Sequence, residues 1–210
     1  TFSAADPNCG AIVRFGGDII GLSNPLSGDG LYPGVNGGKI SGESLDLQVN
    51  WGMPVGPGDL RAQLLWVHNL SAKTQEADGL PSLDYSGTVT FFGAGLGSSV
   101  PEDKIFLSTV YTLGDWAFDM RNRWISSMDN RAGAIFPGEG SFTGAQSVFY
   151  TDIGVSYRLG FLGKDSQVRV GVNNVSDEQP PEYSPNVQSG TESSLYDVIG
   201  RRAFAQVSMK

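Results

Sequence analysis

Residues 104–127, KIFLSTVYTLGDWAFDMRNRWISS, contain two stretches of alternating apolar and polar side chains separated by Gly114-Asp115. A period of two residues is typical of a β-strand with one apolar and one polar face. A two-residue turn makes Leu113 and Trp116 cross-strand neighbours, so the apolar faces of the two strands coincide. The shared apolar face would carry Ile105, Leu107, Thr109, Tyr111, Leu113, Trp116, Phe118, Met120 and Trp124. The stretch therefore predicts an antiparallel hairpin.

Six further segments show the same alternation, although Leu65 and Val67 interrupt the polar face of one of them. Together with the hairpin they predict about eight strands in an all-β chain. The further segments are Ala11–Ile20, 44–53, Leu60–Leu70, Phe149–Leu159, Gln167–Asn173 and Arg201–Lys210.

The connections between these strands alternate in length along the chain. The long ones are residues 21–41, 72–103, 129–146 and 176–199, and the short ones are Pro54–Asp59, Gly114–Asp115 and Gly160–Ser166. Outer-membrane barrels carry short periplasmic turns and long extracellular loops. The alternation predicts a portion of an antiparallel up-and-down transmembrane β-barrel, with the long connections outside.

The apolar faces could also form the interior of a soluble β-sandwich. Two observations favour lipid: strands of about 10 residues suit a tilted bilayer span, and Trp116 and Trp124 lie eight residues apart on one face. At ~3.3 Å per residue and a tilt near 40°, these tryptophans would reach both membrane interfaces, where aromatic side chains collect. The candidate aromatic girdle comprises Trp51, Trp66, Trp116, Trp124, Tyr111 and Tyr157.

The polar faces are rich in arginine and poorer in carboxylates. Burying so many guanidinium groups inside a narrow eight-stranded barrel would leave charge unpaired, at a cost of several kcal/mol per group. The polar faces therefore predict a wide, wet lumen, and candidate lumen-facing residues are Arg121, Arg123, Arg158, Arg169, Asp119 and Asp152. The full set of arginines with this orientation is Arg14, Arg61, Arg121, Arg123, Arg158, Arg169 and Arg202, against Asp18, Asp46, Asp119 and Asp152.

Several functional classes lack support in the sequence. A formal charge of −8 with no basic stripe argues against a nucleic-acid partner. The single histidine, His68, falls on an apolar face without a nucleophile and acid arranged around it, so we expect no enzyme, no catalytic residues, no metal and no cofactor. The single cysteine, Cys9, is either a solitary thiol or the partner of a cysteine outside this sequence.

The last 45 or so residues carry two linked motifs: an Asn-Asn-hydrophobic-X-Asp strand end followed by prolines, and a Tyr that precedes Gly-Arg and a closing strand. This arrangement resembles the C-terminal signature of TonB-dependent outer-membrane receptors. Residues 36–47, NGGKISGESLDL, resemble an upstream part of the same family. The matching C-terminal positions are Asn173, Asn174, Asp177, Pro180, Tyr196, Gly200 and Arg201.

The resemblance implies a 22-stranded barrel of the bacterial outer membrane whose lumen holds an N-terminal plug. Residues 1–210 would be its C-terminal segment, without plug. Implied partners are outer-membrane lipid, the plug and remaining strands, the TonB complex acting through that plug, and a small nutrient. The implied function is active uptake of a scarce nutrient such as an iron–siderophore complex, cobalamin or an oligosaccharide. A passive porin or diffusion channel remains the alternative.

Overall fold

The structure is a computed structural model that describes residues 12–15, 18–22, 38–75, 81–89, 99–130, 144–160, 166–182 and 190–209. The described residues form an all-β fold dominated by antiparallel pairing, with no α-helix among them. No helix in these ranges has the length and hydropathy needed to cross a membrane. Cys9 and the acidic residues Glu76, Asp78 and Glu139 lie outside the described residues.

Fourteen strands are described, in two compact units, Thr1–Gly37 and Gly38–Lys210. The strands are β1 (Ile12–Phe15), β2 (Asp18–Leu22), β3 (Lys39–Val55), β4 (Gly58–Gln75), β5 (Leu83–Asp84), β6 (Thr88–Val89), β7 (Ser99–Val100), β8 (Asp103–Leu113), β9 (Trp116–Ile125), β10 (Met128–Asn130), β11 (Gly144–Ala145), β12 (Val148–Arg158), β13 (Gln167–Asn173) and β14 (Arg202–Ser208).

The first unit contains β1 and β2, which pair antiparallel with Phe15 opposite Asp18. The prediction of one strand over Ala11–Ile20 is therefore wrong. The two residues between the strands are Gly16-Gly17, a sequence that favours two-residue hairpins because both positions tolerate positive φ. That local turn signal outweighs the continuous alternation on which the single strand was based.

In the second unit, seven long strands form one antiparallel sheet, the main sheet, in the order β14-β13-β12-β9-β8-β4-β3. Each long strand lies beside the long strand that precedes it in the chain, so the sheet is an up-and-down meander. No pairing between β3 and β14 occurs among the described residues, and the sheet is open there. The predicted antiparallel meander is confirmed, and β3 and β4 are longer than expected, at 17 and 18 residues.

The turn between β8 and β9 is confirmed as Gly114-Asp115, with Leu113 opposite Trp116 and Gly114 at φ 58°. The turn predicted over Pro54–Asp59 is shorter in the structure, because pairing continues to Val55 opposite Gly58. Gly56 there has a φ of 60°. The final strand also differs from the predicted Arg201–Lys210, since it covers Arg202–Ser208.

Two of the predicted long connections contain short strands. Residues 72–103 include β5, β6 and β7, and residues 129–146 include most of β10 and all of β11. The order β11-β10-β6-β7 forms a small second sheet in which β10 and β6 pair in parallel. Strands of two or three residues are too short to show a period-2 pattern, so the sequence did not predict this sheet.

A small hydrophobic core lies at the end of the main sheet next to these long connections. Tyr150 and Val148 at the start of β12 pack with Val89 of β6 and Met128 of β10. Tyr150 and Val148 share a sheet face with Arg123, because their register partners on β9 are Arg123 and Ile125. Leu65 and Val67 of β4 fall on the same face, so their interruption of the polar pattern coincides with this apolar end. The full cluster is Val89, Ile125, Met128, Ala145, Val148, Tyr150 and Tyr196, with Leu195 against it.

Candidate functional site: the two faces of the main sheet

One face of the main sheet is apolar across all seven strands, and we call it the apolar face. Cross-strand neighbours form rows on this face. One row crosses β3, β4, β8 and β9 and contains Val49, Leu64, Leu107 and Asn122. The neighbouring row continues across β9, β12 and β13 with Met120, Ile153 and Val172. Many of these side chains are open to the surroundings; Trp116 is 47% exposed and Val170 49%. No described part of this unit therefore covers the face. Its strongly exposed members include Leu45, Leu47, Val49, Trp51, Met53, Val55, Trp116, Phe118, Met120, Phe149, Ile153, Tyr157, Val170 and Val207.

All six candidate girdle residues lie on the apolar face. Near the short turns, the ring centroids of Trp116 and Tyr157 lie 4.6 Å apart, and those of Trp116 and Phe118 lie 6.3 Å apart. Toward the long connections, Trp66 and Trp124 both register with Ile105. Trp51 falls on a middle row, opposite Ala62. The structure thus brings the aromatic residues together in two groups, with Trp51 between them.

The opposite face, which we call the charged face, carries every candidate lumen-facing residue. Arg169 and Asp119 form a two-pronged ion pair, with Nε donating to Oδ1 at 3.2 Å and Nη2 to Oδ2 at 2.7 Å. A Cβ built on Gly154 would stand 2.6 Å from Asp119 Oδ1. The pair therefore crosses β12 over Gly154, whose lack of a Cβ leaves room for it.

The remaining candidates on the charged face have different partners. Asp152 Oδ1 accepts a hydrogen bond from the Asn174 N–H at 2.8 Å. Arg158 lies 3.8 Å from Asp115 in an exposed pair at the turn end. The Arg123 guanidinium stands 5.1 Å from the centre of the Tyr150 ring, a cation–π arrangement. The sequence placed these residues on one face but could not predict their partners, which depend on the register between strands.

Three arginines of the charged face, Arg61, Arg121 and Arg123, have no carboxylate partner among the described residues. Arg121 Nε is buried and has no hydrogen-bond partner there. Its register neighbour Asp152 is engaged by Asn174. These arginines therefore form no ion pair with a described residue, although Asp46, Asp59 and Asp152 lie on the same face.

A shallow cavity of about 500 Å³ opens where β3, β4 and β8 meet. Its lining includes Arg61, Gln63 and Asn50 on one side and Ser108 and Val110 on the other. Arg121 is the register partner of Ser108 on the next strand. Although Arg61 belongs to the predicted arginine set, nothing in the sequence indicated a cavity beside it.

His68 lies on the apolar face, as predicted, but it is not isolated. Its Nδ1 lies 2.8 Å from Asp103 Oδ1, and the same oxygen accepts a hydrogen bond from Trp66 Nε1 at 2.8 Å. Ligand atoms of His68, Glu102 and Asp103 lie within 4.8 Å of one another, a grouping that could hold a cation. Because Asp103 Oδ1 is already engaged twice, the simplest role of this group is to anchor Trp66.

The motif residues form a clamp between the two chain segments that flank the last long connection. Asn174 is fully buried with a φ of 50°, and its amide exchanges two 2.9 Å hydrogen bonds with the Glu178 backbone. Asp177 has a φ of 57°, and its Oδ1 accepts the Arg201 N–H at 2.9 Å. Gly200 has a φ of 79°, and a Cβ there would lie 3.0 Å from Asp177 Oδ1.

Asn174 and Asp177 thus organise the exit from β13 through side-chain-to-backbone hydrogen bonds. Asn173 differs, because its Oδ1 is buried with no hydrogen-bond partner among the described residues. Pro180 follows the clamped turn, and Tyr196 is buried in the small core.

Asp197 completes the clamp beside Tyr196. Arg202 Nη1 lies 3.0 Å from both Asp197 carboxylate oxygens, and the Tyr150 hydroxyl accepts the Asp197 N–H at 3.3 Å. Burial by itself raises the pKa of Asp197, but hydrogen bonds from the Ile199 N–H and Arg202, with the charge of Arg202, outweigh it. The net result is a pKa below the ordinary 3.8.

In comparisons with protein-family models, curated proteins and solved structures, this chain matched none of them.

Proposed function

We propose that this chain forms part of the wall of a bacterial outer-membrane β-barrel that works as a TonB-dependent uptake receptor. The observation that carries the proposal is the apolar face, which is continuous over seven strands and largely uncovered, with an arginine-rich face behind it. The nutrient would be scarce in the surroundings, such as an iron–siderophore complex, cobalamin or an oligosaccharide.

Hydrocarbon is the solvent that suits the apolar face. A sheet in water buries its apolar face against a second layer, and monomeric soluble proteins rarely expose contiguous apolar patches beyond a few hundred Å². Here, residues as large as Trp116, Phe118 and Met120 remain at least 40% exposed. Outer-membrane barrels show the same division, with apolar side chains toward lipid and polar ones toward the lumen.

The geometry of the strands agrees with this placement. Five strands of the main sheet are 10 to 18 residues long, namely β3, β4, β8, β9 and β12. A tilted bilayer-spanning strand needs about 9–11 residues. The two ends of the main sheet, β3 and β14, would be continued by other strands of a wider barrel. Such a barrel has room for the unpaired arginines to remain hydrated.

Energised uptake, as opposed to passive diffusion, rests on the C-terminal motif. Four residues that carry the resemblance interact in the structure: Asp177 contacts Asn174, Gly200 and Arg201. Motif residues that contact one another in the fold support the resemblance better than identical residues scattered along the sequence would. A passive porin or diffusion channel would have the same kind of barrel. It would need no energy input, whereas a TonB-dependent receptor would.

The test uses the full-length protein in its native host. Cell fractionation should recover it with the outer membrane, and extraction should require detergent. A deletion strain grown on a panel of iron chelates, cobalamin and oligosaccharides should lose growth on one nutrient, and dissipating the proton gradient should abolish its uptake in the parent. Recovery in a detergent-free soluble fraction would overturn the membrane placement, whereas uptake that survives the loss of the gradient would indicate the passive channel.

A further inference from the structure

We propose that the charged face carries a binding site for a small organic polycarboxylate, centred on the cavity beside Arg61. The inference rests on the proposed function in one respect, since it supposes that the charged face lines the path of the transported ligand. It adds the chemical class of that ligand. The site is defined by the cavity, which Arg61 lines, and by Arg121, which lies outside the lining as the cross-strand neighbour of Ser108.

The cavity is shallow, but its volume is that of a small-molecule site. Its volume of about 500 Å³ falls within the ~300–1,000 Å³ typical of ligand pockets. Asn50, Gln63 and Ser108 supply neutral hydrogen-bonding groups, and Val110 supplies an apolar contact. These groups suit a compact ligand with several oxygen atoms.

The charge of the site comes from guanidinium groups that form no ion pair within the described structure. Neither Arg61 nor Arg121 forms an ion pair with a described residue. Asp59 lies two residues from Arg61 on the same face without pairing with it, and Asp119 is occupied by Arg169. Asp152 lies opposite Arg121 in the register but accepts the Asn174 N–H and forms no ion pair with Arg121. The two arginines are thus available to an external anion.

Carboxylate is the anion that this arrangement suits best. Planar guanidinium groups bind carboxylates through two parallel hydrogen bonds. Arg61 and Arg121 lie on β4 and β9, with β8 between them, and are offset by two residues in the register. Two strand spacings of ~4.8 Å and two residues at ~3.3 Å separate their backbones by about 12 Å. Side chains of that length can converge on different carboxylates of one ligand, and a ligand with several carboxylates would therefore bind more tightly than one with a single group.

The experiment measures binding to the full-length protein, purified in detergent, by isothermal titration calorimetry. The probe is propane-1,2,3-tricarboxylate, and its neutral trimethyl ester serves as the uncharged analogue of similar shape. We expect the tricarboxylate to bind, the ester not to bind, and Arg61→Gln to weaken binding about tenfold to a hundredfold, since a hydrogen bond to a charged group is lost.

Two further variants make the test specific. Ser108→Asp, which places a negative charge in the cavity, should weaken binding by at least about tenfold through repulsion. Arg158→Gln is the matched control, because it removes an arginine from the charged face at an exposed pair with Asp115 outside the cavity. Circular dichroism of each variant verifies that the sheet is intact.

The inference is overturned if the wild-type protein does not bind the tricarboxylate, if the ester binds equally well, or if Arg158→Gln weakens binding as much as Arg61→Gln. These results are separable from the fate of the proposed function. A protein that fractionates with the outer membrane but fails the titration loses only this site, whereas a soluble protein that binds as expected keeps the site and loses the membrane role.

Discussion

Arg169 and Arg158 show how differently two arginines on one face can contribute. Arg169 pairs with Asp119, and their side chains are 25% and 15% exposed. Arg158 and Asp115 are both 58% exposed, at 3.8 Å. Partly buried pairs with good hydrogen-bond geometry contribute measurably to stability, whereas exposed pairs contribute little. The sequence predicted the face of each arginine but not this difference.

Arg169→Gln is expected to lower the free energy of unfolding by roughly 1–3 kcal/mol, because it leaves the Asp119 carboxylate partly buried without its partner. Urea unfolding measures the change. Arg158→Gln, as the control, should change stability by no more than about 0.5 kcal/mol. Adding Asp119→Asn to Arg169→Gln should recover part of the loss, and a double variant as unstable as the sum of the singles would contradict the pairing.

Asp197→Asn tests the clamp through pH. The folded-state pKa of Asp197 lies below its unfolded value near 3.8, so its contribution is complete above that value and is lost as pH falls through the folded pKa. We expect the variant to be less stable than wild type at pH 7 by about 1–3 kcal/mol. The gap should shrink as pH falls below about 3.8 and through the lower folded-state pKa of Asp197. Urea unfolding across this range checks it, and a gap independent of pH would contradict the expectation.

At the scale of the element, the long strands were predictable because their alternation continues for ten residues or more. The hairpin of β8 and β9 follows from the faces of its strands and from Gly114-Asp115. The small sheet was not predictable, because β6 and β10 pair in parallel across a large sequence separation. The cavity at Arg61 was not predictable for a related reason: its lining comes from β3, β4 and β8, and only the register defines it.

Neighbouring residues on β9 offer a direct test of the two faces. Phe118 lies on the apolar face and is 43% exposed, whereas Ala117 lies on the charged face between Thr112 and Ser156. In a bilayer, Phe118→Lys should cost about 1–3 kcal/mol of folding free energy, since a cation would face hydrocarbon between the interface at the short turns and the midplane. Ala117→Lys should cost less than about 1 kcal/mol. Unfolding from lipid vesicles measures both, and equal costs would contradict the lipid assignment.

At the scale of the whole molecule, the tryptophans report on the surroundings of the main sheet. The chain has four, Trp51, Trp66, Trp116 and Trp124, and the register places all four on the apolar face. A soluble β-sandwich would place them in a dry interior, and a membrane wall would place them against lipid.

Brominated acyl chains should therefore quench most of the tryptophan fluorescence of the protein in vesicles, while iodide in the aqueous phase should quench little. Bromine acts over contact distances, so the effect reports direct lipid exposure. The Phe118→Lys variant keeps all four tryptophans. A loss of bromine quenching in this variant would therefore reflect a loss of contact between the apolar face and the bilayer. Strong iodide quenching with none from brominated lipid would indicate that the apolar face does not meet hydrocarbon.

The clamp also makes the last connection a suitable place for loop grafting. Asn174 holds the backbone of Glu178, Asp177 holds Arg201, and Tyr196 is fixed in the small core. The segment that follows β13 and the segment that precedes β14 are thus held together by contacts that do not involve the residues between them. Doubling the length of a flexible insert then costs only about 0.6 kcal/mol of closure entropy. Recognition segments of very different size could be exchanged between these anchors while β13 and β14 keep their register.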